Sequence, residues 1–320
     1  MSSHPQDSST QGPALEVIVA RSAGICFGVR SAIEVASRER QPILGPLVHN
    51  PKVVDDLARA GIPILERYEE LDLLAARGVR QVVITPHGYP RELKEQLRSR
   101  GIGYHDATCP VLLDGVYGKI RRFEESGRSI ILMGDPAHAE VIASRSYGRR
   151  VHVVHSETDA DRLPRDLGRV VAICQTTITL EKFSRLVEYI RANGYPGLES
   201  VDTRCKPVKD QQEGVEELAR SVDAMLVVGG LDSSNSRSLA RIAGRHLPGR
   251  TYHVDDADRI DPGWLVGVRR LGIGAGTSTP RSQLQAVMDH IRRLHGGVMT
   301  FGNGLASSSG SSDVEVSTEH

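Results

Sequence analysis

The sequence predicts three small α/β domains with parallel-type sheets in a pseudo-threefold arrangement. Three observations carry that expectation. Short β-branched runs alternate with amphipathic helical stretches, as in parallel α/β sheets. One order of features occurs three times: cysteine, helix, strand, polar loop, strand, polar loop. The cysteines that open each round, Cys26, Cys109 and Cys205, lie about 83 and about 96 residues apart, the scale of a small α/β unit.

The elements follow in order. Glu16–Ala20 is a short apolar strand ahead of the first cysteine. Cys26 leads into the helical stretch FGVRSAIEVA, then the strand Ile43–Leu44, then Gln81–Thr85. Cys109 leads into a second helical stretch, the strand Ser129–Met133, then Val151–His155 and Arg169–Cys174. Cys205 leads into a helix placed at Gln212–Val222, then the strands Ala224–Val228 and Arg270–Ile273. The runs are bounded by glycine or polar residues, as buried parallel strands are. Leu180–Ala192 has helical periodicity. Two cysteines share a lead-in, HDATC and VDTRC. The expected division is 15–108, 109–204 and 205–302, flanked by Ser/Gly-rich tails at 1–14 and 303–320.

Composition narrows the function. The 320 residues hold 40 Lys+Arg against 40 Asp+Glu and only 4% aromatics. Neither a basic footprint nor a stacking platform for nucleic acid is present. No apolar run approaches the ~18–20 residues of a spanning helix. Residues 1–14 lack the basic start and apolar stretch of a secretory signal. The expectation is a cytoplasmic protein without nucleic-acid or membrane partners. Four cysteines in a chain this long do not make a disulfide scaffold.

Three of those cysteines occupy equivalent places in the repeats, and a threefold arrangement brings them to the axis. Three thiolates suit soft metals, an iron–sulfur cluster with one open iron among them. A Cys₃His zinc site or three unrelated buried cysteines account for the same spacing. Cys174 sits inside the apolar run VVAIC and reads as a core residue.

In parallel sheets, ligands bind beyond the carboxyl ends of the strands. His49, His87 and His138 each follow a strand, and protonated imidazole donates from both nitrogens. Gln175-Thr176-Thr177 forms a further loop. Ser233, Ser234 and Asn235 open a helix, an arrangement suited to phosphate. Ser278, with Thr279 as N-cap and Pro280 as the first helical residue, repeats it. Capping alone accounts for one hydroxyl per helix start, not for the whole set. Glu140, two residues after His138, is the one carboxylate in this set of candidates. It suits proton relay, or a surface place in the first helical turn.

Taken in order, GICFGVRSAI, LVHN, His87-Gly88, DATCP, H-x-E-V at 138–141, QTT, GG-x-x-SSNS and AG-x-S-x-P cover about residues 15–300. On these motifs the chain resembles the IspH (LytB) family of 4-hydroxy-3-methylbut-2-enyl diphosphate reductases. The resemblance implies three α/β domains around a central [4Fe-4S] cluster held by Cys26, Cys109 and Cys205, with one open iron. It implies diphosphate binding by His49, His87, His138, Ser233, Ser234, Asn235 and Ser278. Glu140 matches the proton donor, and Thr176 the threonine that positions the substrate hydroxyl. The implied reaction is reductive dehydroxylation to isopentenyl and dimethylallyl diphosphate, the last step of the methylerythritol phosphate route. Its electrons come from a ferredoxin or flavodoxin. The chain departs from the family pattern at VLLDGVY after Cys109, at Asp135, Ala139, Asp232 and Thr277, and at KPVKDQQ after Cys205. These neighbour the matched residues. A paralogue reductase or hydro-lyase on another allylic substrate, and a non-catalytic iron–sulfur sensor, share the same motifs.

Overall fold

The computed structural model describes residues 14–65 and 71–302. The expected tails, apart from Ala14, lie outside the described residues. Among the described residues thirteen strands form three sheets, and every strand pairing is parallel. The strands are β1 (Leu15–Val19), β2 (Ile43–Leu44), β3 (Ile64–Leu65), β4 (Gln81–Ile84), β5 (Gly103–Asp106), β6 (Ser129–Met133), β7 (Val151–Val154), β8 (Val170–Cys174), β9 (Glu199–Ser200), β10 (Ala224–Val228), β11 (Thr251–Val254), β12 (Arg270–Ala275) and β13 (Met299–Gly302). The α-helices are α1 (Phe27–Glu39), α2 (Pro51–Arg59), α3 (Leu71–Ala76), α4 (Arg91–Ser99), α5 (Gly118–Glu125), α6 (Ala139–Arg145), α7 (Glu157–Asp161), α8 (Leu180–Ala192), α9 (Lys206–Ala219), α10 (Ser234–His246) and α11 (Arg281–His295).

The sheets repeat one strand order. It reads β3-β2-β4-β5 in the first, β7-β6-β8-β9 in the second and β11-β10-β12-β1-β13 in the third. The central strands β6, β8 and β10 are buried at every residue, which their apolar sequences SIILM, VVAIC and AMLVV require of strands covered on both faces. Apolar layers flank each sheet, such as Ile33, Leu57 and Val83 on one face of the first and Leu93 and Leu97 on the other.

One boundary is corrected. The strand expected at Glu16–Ala20 in the first domain is β1, Leu15–Val19, and belongs to the third sheet. Val17 of β1 is in register with Leu271 of β12 on one side and Phe301 of β13 on the other. Leu15, Val17 and Val19 pack with Val287 and Ile291 of α11, while Ile18 lies against the opposite layer. An apolar strand needs cover on both faces, and the third unit's helices supply it. The permutation follows a rule: β5 precedes Cys109 but closes the first sheet, β9 precedes Cys205 but closes the second, and β1 precedes Cys26 and takes the same place in the third.

Other elements shift at their ends. The helix expected at 212–222 is α9, beginning at Lys206 because Pro207 suits a first turn. Thr279 is not the N-cap of α11; Pro280 holds that place, and the Thr279 hydroxyl donates to the Val228 carbonyl at 3.0 Å. The stretch after Cys109 opens as a π-helical turn, Val111–Tyr117, before α5. Among the described residues no helix is long and apolar enough to cross a membrane.

Candidate active-site cavity

Each cysteine sits where a strand gives way to a helix. Cys26 and Cys205 are the N-cap residues of α1 and α9, and Cys109 precedes Pro110 and the π-helical turn. Backbone N–H groups of these first turns point at the sulfurs: Gly28 and Val29 at Cys26, Val111 and Leu112 at Cys109, Val208 at Cys205. Unpaired N–H groups of a helix start favour anionic sulfur. Burial nonetheless pushes all three thiols up, Cys205 to about 12. A Cβ on Gly28 would stand 2.7 Å from the Cys109 sulfur, so only glycine lets α1 approach it.

The three sulfurs line one central cavity of about 720 Å³, counting its open mouth. Every site residue expected from the sequence lines it: Cys26, Cys109, Cys205, His49, His87, His138, Glu140, Thr176, Ser233, Ser234, Asn235 and Ser278. Loops from all three units meet here, each from the carboxyl ends of its parallel strands.

The three imidazoles form a near-equilateral group, with ring centroids 5.1, 5.4 and 5.6 Å apart. Burial lowers the pKa of each, that of His138 to about 4; His49 and His138 further depress His87, and His49 depresses His138. His138 Nδ1 accepts from the Glu140 backbone N–H at 3.2 Å, which leaves the proton of the neutral ring on Nε2. His49 Nε2, His87 Nε2 and the Ser278 hydroxyl are buried without a hydrogen-bond partner among the described residues. Such atoms cost about 1–3 kcal/mol each when left open. A polar ligand that reaches them removes the penalty.

The serine-rich start of α10 adds backbone donors. Ser233 caps the helix by accepting from Ser236 N–H, leaving the N–H groups of Ser234 and Asn235 without intrahelical acceptors. Asn235 departs from a side-chain donor role. Its Nδ2 is committed to Gln211 Oε1 at 2.8 Å, and its Oδ1 is left open.

Glu140 is buried at the first turn of α6. Its Oε1 accepts from the Thr176 N–H at 2.6 Å, and its Oε2 from the Thr176 hydroxyl at 2.7 Å. Burial raises its pKa to about 7 despite these two bonds.

Sequence reasoning passed over several contributors. Gly28, Thr177, Thr277 and Val208 line the cavity. Asn50 ties the first unit to the third, its Nδ2 donating to the Ser278 carbonyl and to Gln283 Oε1, both at 2.8 Å. Gln211 holds Asn235 and donates to the Gly24 carbonyl. Both lay within quoted motifs, LVHN and KPVKDQQ, but a buried amide is visible only through its partners. Cys174 is fully buried in the core of the second unit, away from the cavity.

Fold and cavity together define a class: an all-parallel three-sheet α/β protein with three thiols and three imidazoles around one buried carboxyl. The sequence model of the LytB protein family matches residues 17–292. The chain belongs to that family. It is 33% identical to the 4-hydroxy-3-methylbut-2-enyl diphosphate reductase of Caldanaerobacter subterraneus subsp. tengcongensis, covering 88% of this chain and 98% of that protein. It is 34% identical to the same-named protein of Geobacter sulfurreducens, with the same coverages. A solved (E)-4-hydroxy-3-methyl-but-2-enyl diphosphate reductase, described as the terminal enzyme of the non-mevalonate pathway, is 32% identical. It aligns with a TM-score of 0.62 over 87% of this chain and 99% of its own. The Plasmodium falciparum reductase structure shares the fold at a TM-score of 0.80 and 20% identity, over 91% of this chain and 93% of its own.

Proposed function

We propose that the chain reduces 4-hydroxy-3-methylbut-2-enyl diphosphate, taking up two electrons and two protons and releasing water, to give isopentenyl and dimethylallyl diphosphate. The observation that carries the reading is Glu140, a buried carboxyl with a pKa of about 7, clamped by Thr176 in the cavity that holds the three thiols. The relatives named for this reaction support it over most of the chain.

The donor set fits an iron–sulfur cluster: three thiols on one cavity, helix-start N–H groups at each, and a glycine cradle at Cys109. Among the described residues no three His, Cys, Asp or Glu side chains gather tightly enough for one ion, as a lone zinc requires. Cys26, Cys109 and Cys205 would hold a [4Fe-4S] cluster. When bound, it supplies electrons and one iron free of protein thiolate, which acts as a Lewis acid.

The chain's own residues supply the rest. His49, His87, His138 and Ser278 face the diphosphate, joined by the N–H groups at the start of α10. The imidazoles are neutral in the free cavity, and a bound polyanion favours their protonation, so binding draws protons from solution. Near neutral pH Glu140 holds a proton far more readily than an ordinary carboxyl. In that form its Oε2–H donates to the Thr176 oxygen, and the threonine hydrogen turns into the cavity. Thr176 thereby passes a proton toward the departing hydroxyl. The electron donor is a cytoplasmic ferredoxin or flavodoxin.

The test is anaerobic assay of the cluster-loaded protein with this substrate and an artificial one-electron donor. Formation of the two C5 diphosphates is expected. An intact cluster with no turnover of this substrate refutes the reading. Turnover without reductant would assign a hydro-lyase instead.

A further inference from the structure

A second cavity, of about 470 Å³, opens between the second and third units. Lys182 of α8 lines it, together with Arg237 and Arg241, one turn apart on α10. His155 lies beside Lys182, its Nδ1 3.2 Å from Nζ, and Asp135 is the one carboxylate of the lining. Thr179, the N-cap of α8, and Ser234, the first residue of α10, also line it. α8 therefore directs its positive end and free N–H groups into the cleft, while the start of α10 serves the central cavity and touches the cleft through Ser234.

The cations there outnumber the counter-charges, Asp135 being the carboxylate of the lining. Among the described residues Arg237 and Arg241 make no ion pair or hydrogen bond, whereas neighbouring Arg245 is bonded to Glu181 and Arg185 faces Glu157 at 3.5 Å. Burial and the charges of Arg241 and Arg185 hold the Lys182 pKa below the usual lysine value, outweighing Asp135 and Asp159. Three cations and one helix N-terminus set against one carboxylate make the cleft favourable for a small anion.

A polar chain separates this cleft from the central cavity. The Asp135 N–H donates to Gln175 Oε1 at 3.0 Å, Gln175 Nε2 to the Thr177 hydroxyl at 2.9 Å, and that hydroxyl to Ser234 Oγ at 3.0 Å. Ser233 lines the central cavity and Ser238 the second one, while Ser234 lines both. We infer that the second cavity is an anion site for a phosphate or diphosphate group, coupled to the central cavity through Ser234. It stands independently of the reductase reading, since it uses neither the thiols nor Glu140.

The experiment titrates the cluster-free protein with inorganic pyrophosphate in a calorimeter, for the wild type and the double variant Lys182→Gln, Arg241→Gln. These side chains lie at the rim, outside the central cavity. One binding event present in the wild type is expected to disappear from the variant, or to weaken at least tenfold, with its melting temperature kept. Identical stoichiometry and affinity in both proteins overturn the site. Pyrophosphate should also slow acetylation of Lys182 in the wild type, read by mass spectrometry. Unchanged acetylation at saturation would equally overturn it. Isopentenyl diphosphate that competes for the same event identifies a site for the cavity's own class of diphosphates, and failure to compete identifies one for inorganic phosphate groups.

Discussion

The central cavity and the apolar layer around Cys174 meet at the end of β8, and they treat buried polar atoms in opposite ways. Cys174, the last residue of β8, lies in a core of Ile131, Met133, Phe183 and Leu186. Its polar neighbours are answered: the Cys174 N–H donates to the Thr203 hydroxyl at 2.8 Å, which reaches back to the Cys174 carbonyl. Two residues later the chain enters the cavity, where a carboxyl, two imidazole nitrogens and a serine hydroxyl are buried and several are left open. Polar atoms satisfied within the protein stabilise the fold. Polar atoms left open are held for a ligand, and the rest of the fold offsets their cost.

The widest separation between the two regions is expected at their cysteines. Cys205→Ala removes one of the three proposed cluster ligands and should abolish iron retention and turnover after anaerobic reconstitution. Cys174→Ala should keep full iron content. It leaves a small cavity in the core and lowers unfolding free energy by about 1–2 kcal/mol, measured by denaturant titration. Iron loss from the Cys174 variant would break the comparison.

Glu140→Gln sharpens it, because function and stability should move in opposite directions. The amide keeps the shape of the protonated carboxyl, with Oε1 still accepting from the Thr176 N–H. Turnover should fall by about 10²–10⁴-fold with the cluster intact. In the wild type, turnover should decline as pH rises through about 7, where Glu140 loses its proton. The stability effect follows from the same shift. A carboxyl raised from 4.5 to about 7 binds its proton more tightly in the folded state. Its favourable contribution is complete below about 4.5 and is lost as pH rises through about 7, a difference of roughly 3 kcal/mol. The glutamine variant should therefore exceed the wild type in stability at pH 8, by up to roughly that amount. An equal or lower stability at pH 8 would show that the site does not strain the fold.

Thr203→Val should act on the core alone. It keeps shape but leaves the Cys174 N–H buried without its acceptor, at a cost of about 1–3 kcal/mol by thermal or chemical unfolding. Turnover per cluster should stay near the wild-type value.

The site was more legible in the sequence than the strand order. Chemistry concentrates in rare residue types, so Cys26, Cys109, Cys205, the three histidines and Glu140 stand out as single letters, and the repeat places them at strand ends. Strand membership has no such mark. Glu16–Ala20 reads as a strand, but nothing local says which sheet it joins; only the repeated order, in which each pre-cysteine strand takes the fourth place of the preceding sheet, shows that β1 belongs to the third. β3 and β9 have two residues each, too few for any periodicity, and β5 is the polar segment GYHD. Thr279 misled because a threonine before a proline has the composition of a cap, while its hydroxyl is drawn to the Val228 carbonyl across the sheet end. Asn50 and Gln211 hold units together through contacts roughly 190–230 residues apart in sequence, and no local pattern records that.

The smallest effect is expected at the rim, where neither region's rule applies. Arg245 and Glu181 bridge α10 and α8 with both side chains well exposed. Water solvates both charges nearly as well apart as together, and holding two long side chains in one geometry costs entropy. Glu181→Gln should therefore change stability by less than about 1 kcal/mol, and less still at high salt. The same substitution frees a further cation beside Arg241. Stability unchanged within that margin, with tighter pyrophosphate binding at low salt, would show that the charges between these helices are arranged for a ligand and not for the fold.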